Sequence, residues 1–342
     1  MWKRKRAGGF CWTRECCPPW PCCWGGVLLH SMNVLMLATV LPTIVNELGG
    51  TEVMHWPTTA FVASSLVAAT CTGMLTARLG PRATYVAGAL TFAAGALVCS
   101  LAGAMTGVIV GRFVQGFGGG VLIAAAYVLV RRTFPERGWT RALSLLSGMW
   151  SVSILVGPLA GGAFVHYGDW RSAFVSVAAI GGVLALGAFR ALPGGGKEQA
   201  AAGSRLPLGR MFLICLAIGG TSSAAVVTSL ILKAALIAAA VAALVVMLRL
   251  DRRARSPLLP SDAFAFSTPT GMGLWLALLL SVTYSPMQIY VPIFLQRLHG
   301  LDPLSAGYVV ACASLGWTVS SLIVAGVADA GRARLIALGT LT

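Results

Sequence analysis

The chain has 342 residues, 57% of them hydrophobic and only 10% charged, with a net charge of +15. Soluble domains carry roughly 25% charged residues, and a water-soluble chain of this size has no interior large enough for so much apolar surface. The basic residues sit in short clusters between apolar stretches, so the charge reads as loops flanking a bilayer and not as a nucleic-acid face, and no nucleic-acid partner is expected.

In chain order, residues 1–26 come first and combine a basic run at residues 3–6 with Cys11, Cys16, Cys17, Cys22 and Cys23. The cysteine doublets lack the paired spacing of a closed zinc site; acylation of a basic inner segment is the other use of such cysteines. No metal is expected, and the segment reads as cytoplasmic and disordered. Apolar stretches of the roughly 20 residues that a bilayer requires then occupy 27–47, 57–77, 83–103, 105–131, 142–166, 172–192, 210–228, 230–250, 270–293 and 304–327, with a partial eleventh from about 333. Backbone satisfaction in lipid makes these helices, and the alternating ten-residue pattern of a barrel strand is missing. The expected fold class is all-α, a polytopic helix bundle. Pro286 and Pro292 suggest either a broken helix in the ninth span or an ordinary kink.

Basic residues set the orientation. With the N-terminus inside, 21 of the 25 Lys and Arg fall on the inner side; Arg171, Lys233 and Arg297 are outside, and Arg112 lies within a span. That alternation predicts a multi-pass protein of the cell membrane with a cytoplasmic N-terminus. It also requires two crossings between Arg210 and Arg249, although the turn between those two spans is weakly marked.

Several local patterns carry a resemblance. GMLTARLGPR at residues 73–82 contains Gly73, Arg78, Gly80 and Arg82; GRFVQGFGGG at 111–120 contains Arg112 and Gln115. Gly148 is followed by GPLAGG at 157–162, with Gly157, Pro158, Gly161 and Gly162. LPTI at 41–44, GDWRSAF at 168–174 and SPLL at 256–259 complete the set. In order and placement these resemble the major facilitator superfamily, and within it the fourteen-span drug:proton antiporters, which insert a helix pair between two six-helix halves. The resemblance implies a first half at 27–192, a linker with the inserted pair at 193–269, and the start of a second half at 270–342, so the chain is expected to be incomplete. It implies proton-coupled efflux of small amphipathic organic compounds from the cell (inner) membrane, with no cofactor and no enzymatic reaction.

The same resemblance gives residue roles. Arg112, Gln115 and Asn33 become candidates for the transport and coupling site. The alternatives are a snorkelling Arg112 and a Gln115 that only bonds a neighbouring helix. Gly148, Gly157, Pro158, Gly161 and Gly162 are a candidate hinge, since proline bends a helix and glycine admits a close neighbour; plain packing is the alternative, as it is for Gly116, Gly118, Gly119 and Gly120. Gly73, Arg78, Gly80 and Arg82, with Asp329 and Arg332 in the second half, form a candidate inner-loop latch. Two positions depart from the family pattern: Ala77 and Asn33 stand where the antiporters carry aspartate, and asparagine cannot carry a proton. His30 and Glu47 remain as titrating candidates, both read as close to the surface. Residues for lining a cavity include Tyr127, Trp150, Trp275, Tyr284, Gln288 and Tyr290. A non-transporting membrane scaffold is the alternative function. An intramembrane enzyme needs a histidine pair or a serine–histidine dyad within the bilayer, whereas the four histidines read as lying at span ends.

Overall fold

The computed structural model describes residues 20–166, 169–192, 208–254 and 257–300, with six further helical positions between 309 and 323. Nine α-helices follow one another among them: α1 Trp20–Leu48, α2 Trp56–Leu79, α3 Pro81–Ser100, α4 Met105–Thr133, α5 Glu136–His166, α6 Trp170–Ala191, α7 Leu208–Val226, α8 Leu230–Arg252 and α9 Pro269–His299. Each of α1 to α8 is long and apolar enough to cross a bilayer, and no strand occurs among the described residues. The chain is an all-α, multi-pass membrane protein.

Two features differ from the sequence reading, the start of α1 and the course of α9, while the α7–α8 pair falls where it was expected. α1 begins at Trp20, so the segment expected to be disordered through residue 26 is helical over its last part. The cause is packing: Cys22 is buried, and its carbonyl accepts a hydrogen bond from Tyr85 Oη of α3. Residues 1–19, with Cys11, Cys16 and Cys17, lie outside the described residues. α7 and α8, whose connection the sequence marked weakly, are separated by the non-helical residues 227–229 and fold back on each other. α9 runs without a break past Pro286 and Pro292, so the helix absorbs the lost backbone bonds instead of dividing there. The expected eleventh span lies outside the described residues, and the tenth is described only at isolated positions.

Packing is organised around α4. In its most apolar stretch 61% is buried, against 17% in α7 and in α8, which places α4 at the axis of the bundle and the α7–α8 pair on its flank. Glycine explains the difference. Side chains added at Gly116 or Gly120 would strike α2, at Phe61 and Ser64 or at Ser65; at Gly111 or Gly118 they would strike α3, at Cys99 or Phe92; at Gly119 they would strike His30 of α1. One helix therefore admits close neighbours on three sides, the backbone of α2 and of α3 and the His30 ring of α1. In lipid, where helices gain little by hiding apolar surface from one another, such van der Waals approach is a main source of association. The glycine cluster is thus a packing device.

Each end of the bundle is tied by charge. At one end Glu47 of α1 pairs with Arg171 of α6 at 2.5 Å and accepts 2.6 Å from Trp170 Nε1, while Arg171 also donates to the Ala102 carbonyl. Asp169 caps α6, accepting from the backbone N–H of Arg171 and Ser172; the Ser172 hydroxyl bond, foremost, holds its carboxyl below the usual aspartate range. At the other end Gly80, at φ +84°, turns α2 into α3, and Pro81 opens the new helix. There Asp251, the one buried carboxylate among the described residues, closes α8. It pairs with Arg210 of α7 and accepts the N–H groups of Leu258 (2.8 and 3.0 Å) and Leu259 (3.0 Å). Replacing Asp251 with Ala strands those donors, so the purified protein should lose roughly 1–3 kcal/mol of stability, read as a lower thermal midpoint. Exposed Glu52→Ala serves as the control and should leave the midpoint unchanged; equal midpoints for the two variants would contradict the staple.

Candidate functional site

Arg112 lies on the second turn of α4, where a lipid-facing arginine costs about 2.5–3.5 kcal/mol to insert. It does not snorkel: its exposure is 1%. Its Nη1 donates to Asn33 Oδ1 of α1 and to Gln115 Oε1 at 2.7 Å, and its Nε reaches the Pro57 carbonyl of α2 at 3.5 Å. The guanidinium also stacks over the Phe61 ring, 4.0 Å from its centroid, as a cation–π pair. Three helices therefore converge on one charge. Gln115 shares the face because it lies three residues further along the helix; Asn33 arrives because α1 crosses at Gly119.

All these partners are neutral. Among the described residues Glu47 pairs with Arg171 and Asp251 with Arg210, and neither ion pair involves Arg112. Around it three buried nitrogens make no hydrogen bond: Asn33 Nδ2, Gln115 Nε2 and His30 Nδ1. A buried donor left unpaired costs about 1–3 kcal/mol, so this is a place where packing leaves polar capacity unused. His30 corrects the sequence reading. It is 5% exposed, in mid-helix, with its ring 5.1 Å from Phe61 and 6.2 Å from Trp150. The earlier start of α1 moves it from a span end to the interior.

The α5 motif packs on α1 beside this cluster. A Cβ at Gly157 would come within 2.9 Å of Leu35 Cβ and 3.1 Å of the Met32 carbonyl; one at Gly161 would strike Thr39 and come 3.0 Å from the Met36 carbonyl. Pro158 sits inside α5 between them. Ser153, one turn before, bonds Ser31 of α1, Oγ to Oγ at 2.5 Å. Gly162 has open space where its side chain would be, and Gly148 is half-buried.

The sequence model of the Major Facilitator Superfamily covers residues 23–342. The chain belongs to that superfamily. It is similar to a probable multidrug-efflux transporter of Mycobacterium tuberculosis, 34% identical over 87% of this chain and 64% of the relative. It is also similar to a multidrug transporter protein of Bacillus subtilis (25% identical; 87% and 55%) and a multidrug efflux pump of Staphylococcus aureus (26%; 85% and 65%). The chain thus spans less than two thirds of the length of these curated relatives.

The candidate latch residues sit in different surroundings. Arg82 stacks over Phe189 of α6 at 3.8 Å, Arg78 is exposed, and Gly73 faces open space. Asp329 and Arg332 lie outside the described residues. Among the cavity candidates, Trp150 touches His30, Tyr127 is 45% exposed, and Trp275 stacks on Phe266, bonding the Phe264 carbonyl; the side chains of Tyr284, Gln288 and Tyr290 are outside the described ones. Phe61 and the Pro57 carbonyl were not anticipated, because nothing in α2 marks which of its apolar residues faces α4. Gly161→Val should cost roughly 1–3 kcal/mol of stability by overpacking, read as a lower yield and thermal midpoint of purified protein, whereas Gly162→Val should leave both unchanged. Equal damage at the two positions would contradict the α1–α5 seat.

Proposed function

We propose that the chain is part of a proton-coupled secondary transporter that exports small amphipathic organic compounds, with its N-terminus in the cytoplasm. The observation that carries this reading is the buried Arg112 cluster. Intramembrane charge is expensive and marks substrate or ion pathways, and superfamily transporters hold substrate near the bilayer midplane between helix bundles that rock against each other. Arg112, Gln115 and Asn33 take the transport and coupling role. Gly157, Pro158 and Gly161 form the bend against which α1 slides. Arg78 and Arg82 act at the cytoplasmic latch. The relatives named as multidrug exporters support the substrate class, and membership of a transporter superfamily argues against an enzyme. Asn33 and Ala77, in place of aspartate, keep the non-transporting scaffold as the second reading.

Expression of the full-length gene product in a pump-deficient bacterium tests the two. The transporter reading predicts lower accumulation of a fluorescent amphipathic dye than in vector controls, with the difference abolished by a protonophore and by Arg112→Gln. Accumulation equal to the control, with the protein present in the membrane, would favour the scaffold. Efflux that survives the protonophore would remove proton coupling alone.

A further inference from the structure

The Arg112 site has a charge imbalance that its own residues leave uncorrected. Its guanidinium rests on two amide oxygens, a backbone carbonyl and an aromatic face, none of them charged. Asn33 Nδ2 and Gln115 Nε2 are N–H donors with no acceptor. Each belongs to an amide whose oxygen already touches Nη1. A cation beside two unused donors is complementary to a carboxylate, whose two oxygens accept several N–H bonds at once and most strongly from arginine. The surroundings favour an organic anion over a hydrated inorganic one: Phe61 and, across His30, Trp150 provide apolar ring surface beside the donors.

We propose that the Arg112–Asn33–Gln115 cluster is a carboxylate receptor, and that the amphipathic compounds this chain binds there are organic anions. The inference rests on the transporter reading above and narrows its substrate class. The carboxylate supplies the negative charge that aspartate at position 33 would otherwise provide; asparagine there leaves the arginine free to take it from the ligand. His30, with its unbonded Nδ1 against Gly119 of α4, lies on the same side of α1, one turn before Asn33, and adds a further polar contact to the receptor wall.

The test is equilibrium binding to the purified full chain, read by the fluorescence of a dansyl-labelled undecanoic acid, its primary carboxamide and its trimethylammonium counterpart. The acid is expected to bind at least ten-fold more tightly than the amide, and the cation more weakly than either. Asn33→Asp and, separately, Gln115→Glu place a competing carboxylate on the guanidinium. In either variant the acid-to-amide affinity ratio should collapse toward one. Two variants on different helices keep the test open if one fails to fold. Equal affinities for acid and amide in the unaltered chain would overturn the proposal, as expected if a carboxylate from residues outside the described ones already neutralised Arg112. A ten-fold ratio that persists in a folded Asn33→Asp or Gln115→Glu protein would also overturn it, since the preference would then come from the basic loops. The readout is binding and not efflux, so a chain that binds the acid selectively but exports nothing sinks the transporter reading while this receptor stands. Efflux without charge preference sinks the receptor alone.

Discussion

A single positive charge in the middle of a helix bundle constrains everything around it. The Arg112 guanidinium cannot stay in lipid unpaired, and it cannot reach water from its position at 1% exposure. Its hydrogen bonds must come from protein, and α4 by itself offers only Gln115. The remaining contacts, Asn33 from α1 and the Pro57 carbonyl and Phe61 ring from α2, exist only if both helices approach α4 closely. Glycine makes that approach possible: Gly116 and Gly120 admit α2, and Gly119 admits α1. Charge and small residues are therefore two parts of one arrangement, in which glycines bring the helices together and arginine ties them.

The neighbouring α1–α5 contact has a different character. Gly157 and Gly161 seat α5 against α1 backbone, with Ser153 as the polar link, bonding Ser31 and the Leu28 carbonyl, and a proline inside each helix, Pro42 in α1 and Pro158 in α5. Smooth helix surfaces with few polar anchors slide at low cost, while the Arg112 site resists separation. On the transporter reading proposed above, the two contacts have different uses: fixed groups that hold a ligand, and a surface along which one part of the bundle shifts relative to the other. The peripheral ties lie at the helix ends: Glu47–Arg171 is exposed, while Arg210–Asp251 is buried against the backbone of Leu258 and Leu259.

Much of this was legible in the sequence, because hydropathy and loop charge act locally. A stretch of about twenty apolar residues has one stable form in lipid, and α2 to α8 fall where such stretches lie. Arg112, Gln115 and Asn33 were legible as polar exceptions in apolar spans. What escaped notice depends on which faces meet. Phe61 and Pro57 differ from other α2 residues only in facing α4. His30 looked superficial because the start of α1 was placed near residue 27; Trp20 extends the helix, and the histidine becomes interior. Asp251 sits just beyond an apolar stretch and reads as a loop residue until the backbone of Leu258 and Leu259 folds back on it. Gly162 carries the same motif letter as Gly161, yet one residue along a helix is a turn of 100°, enough to move it from the α1 contact to open space.

The most direct measurement is a double-mutant cycle on stability across the arginine site, with Arg112→Gln, Asn33→Ala, the double variant and the unaltered chain unfolded in the same detergent. If the guanidinium is held by the asparagine amide as described, the two losses are non-additive, with an interaction of roughly 1–3 kcal/mol. If they add to within about 0.5 kcal/mol, Arg112 and Asn33 do not share a bond, and the convergence of three helices on one buried charge is wrong.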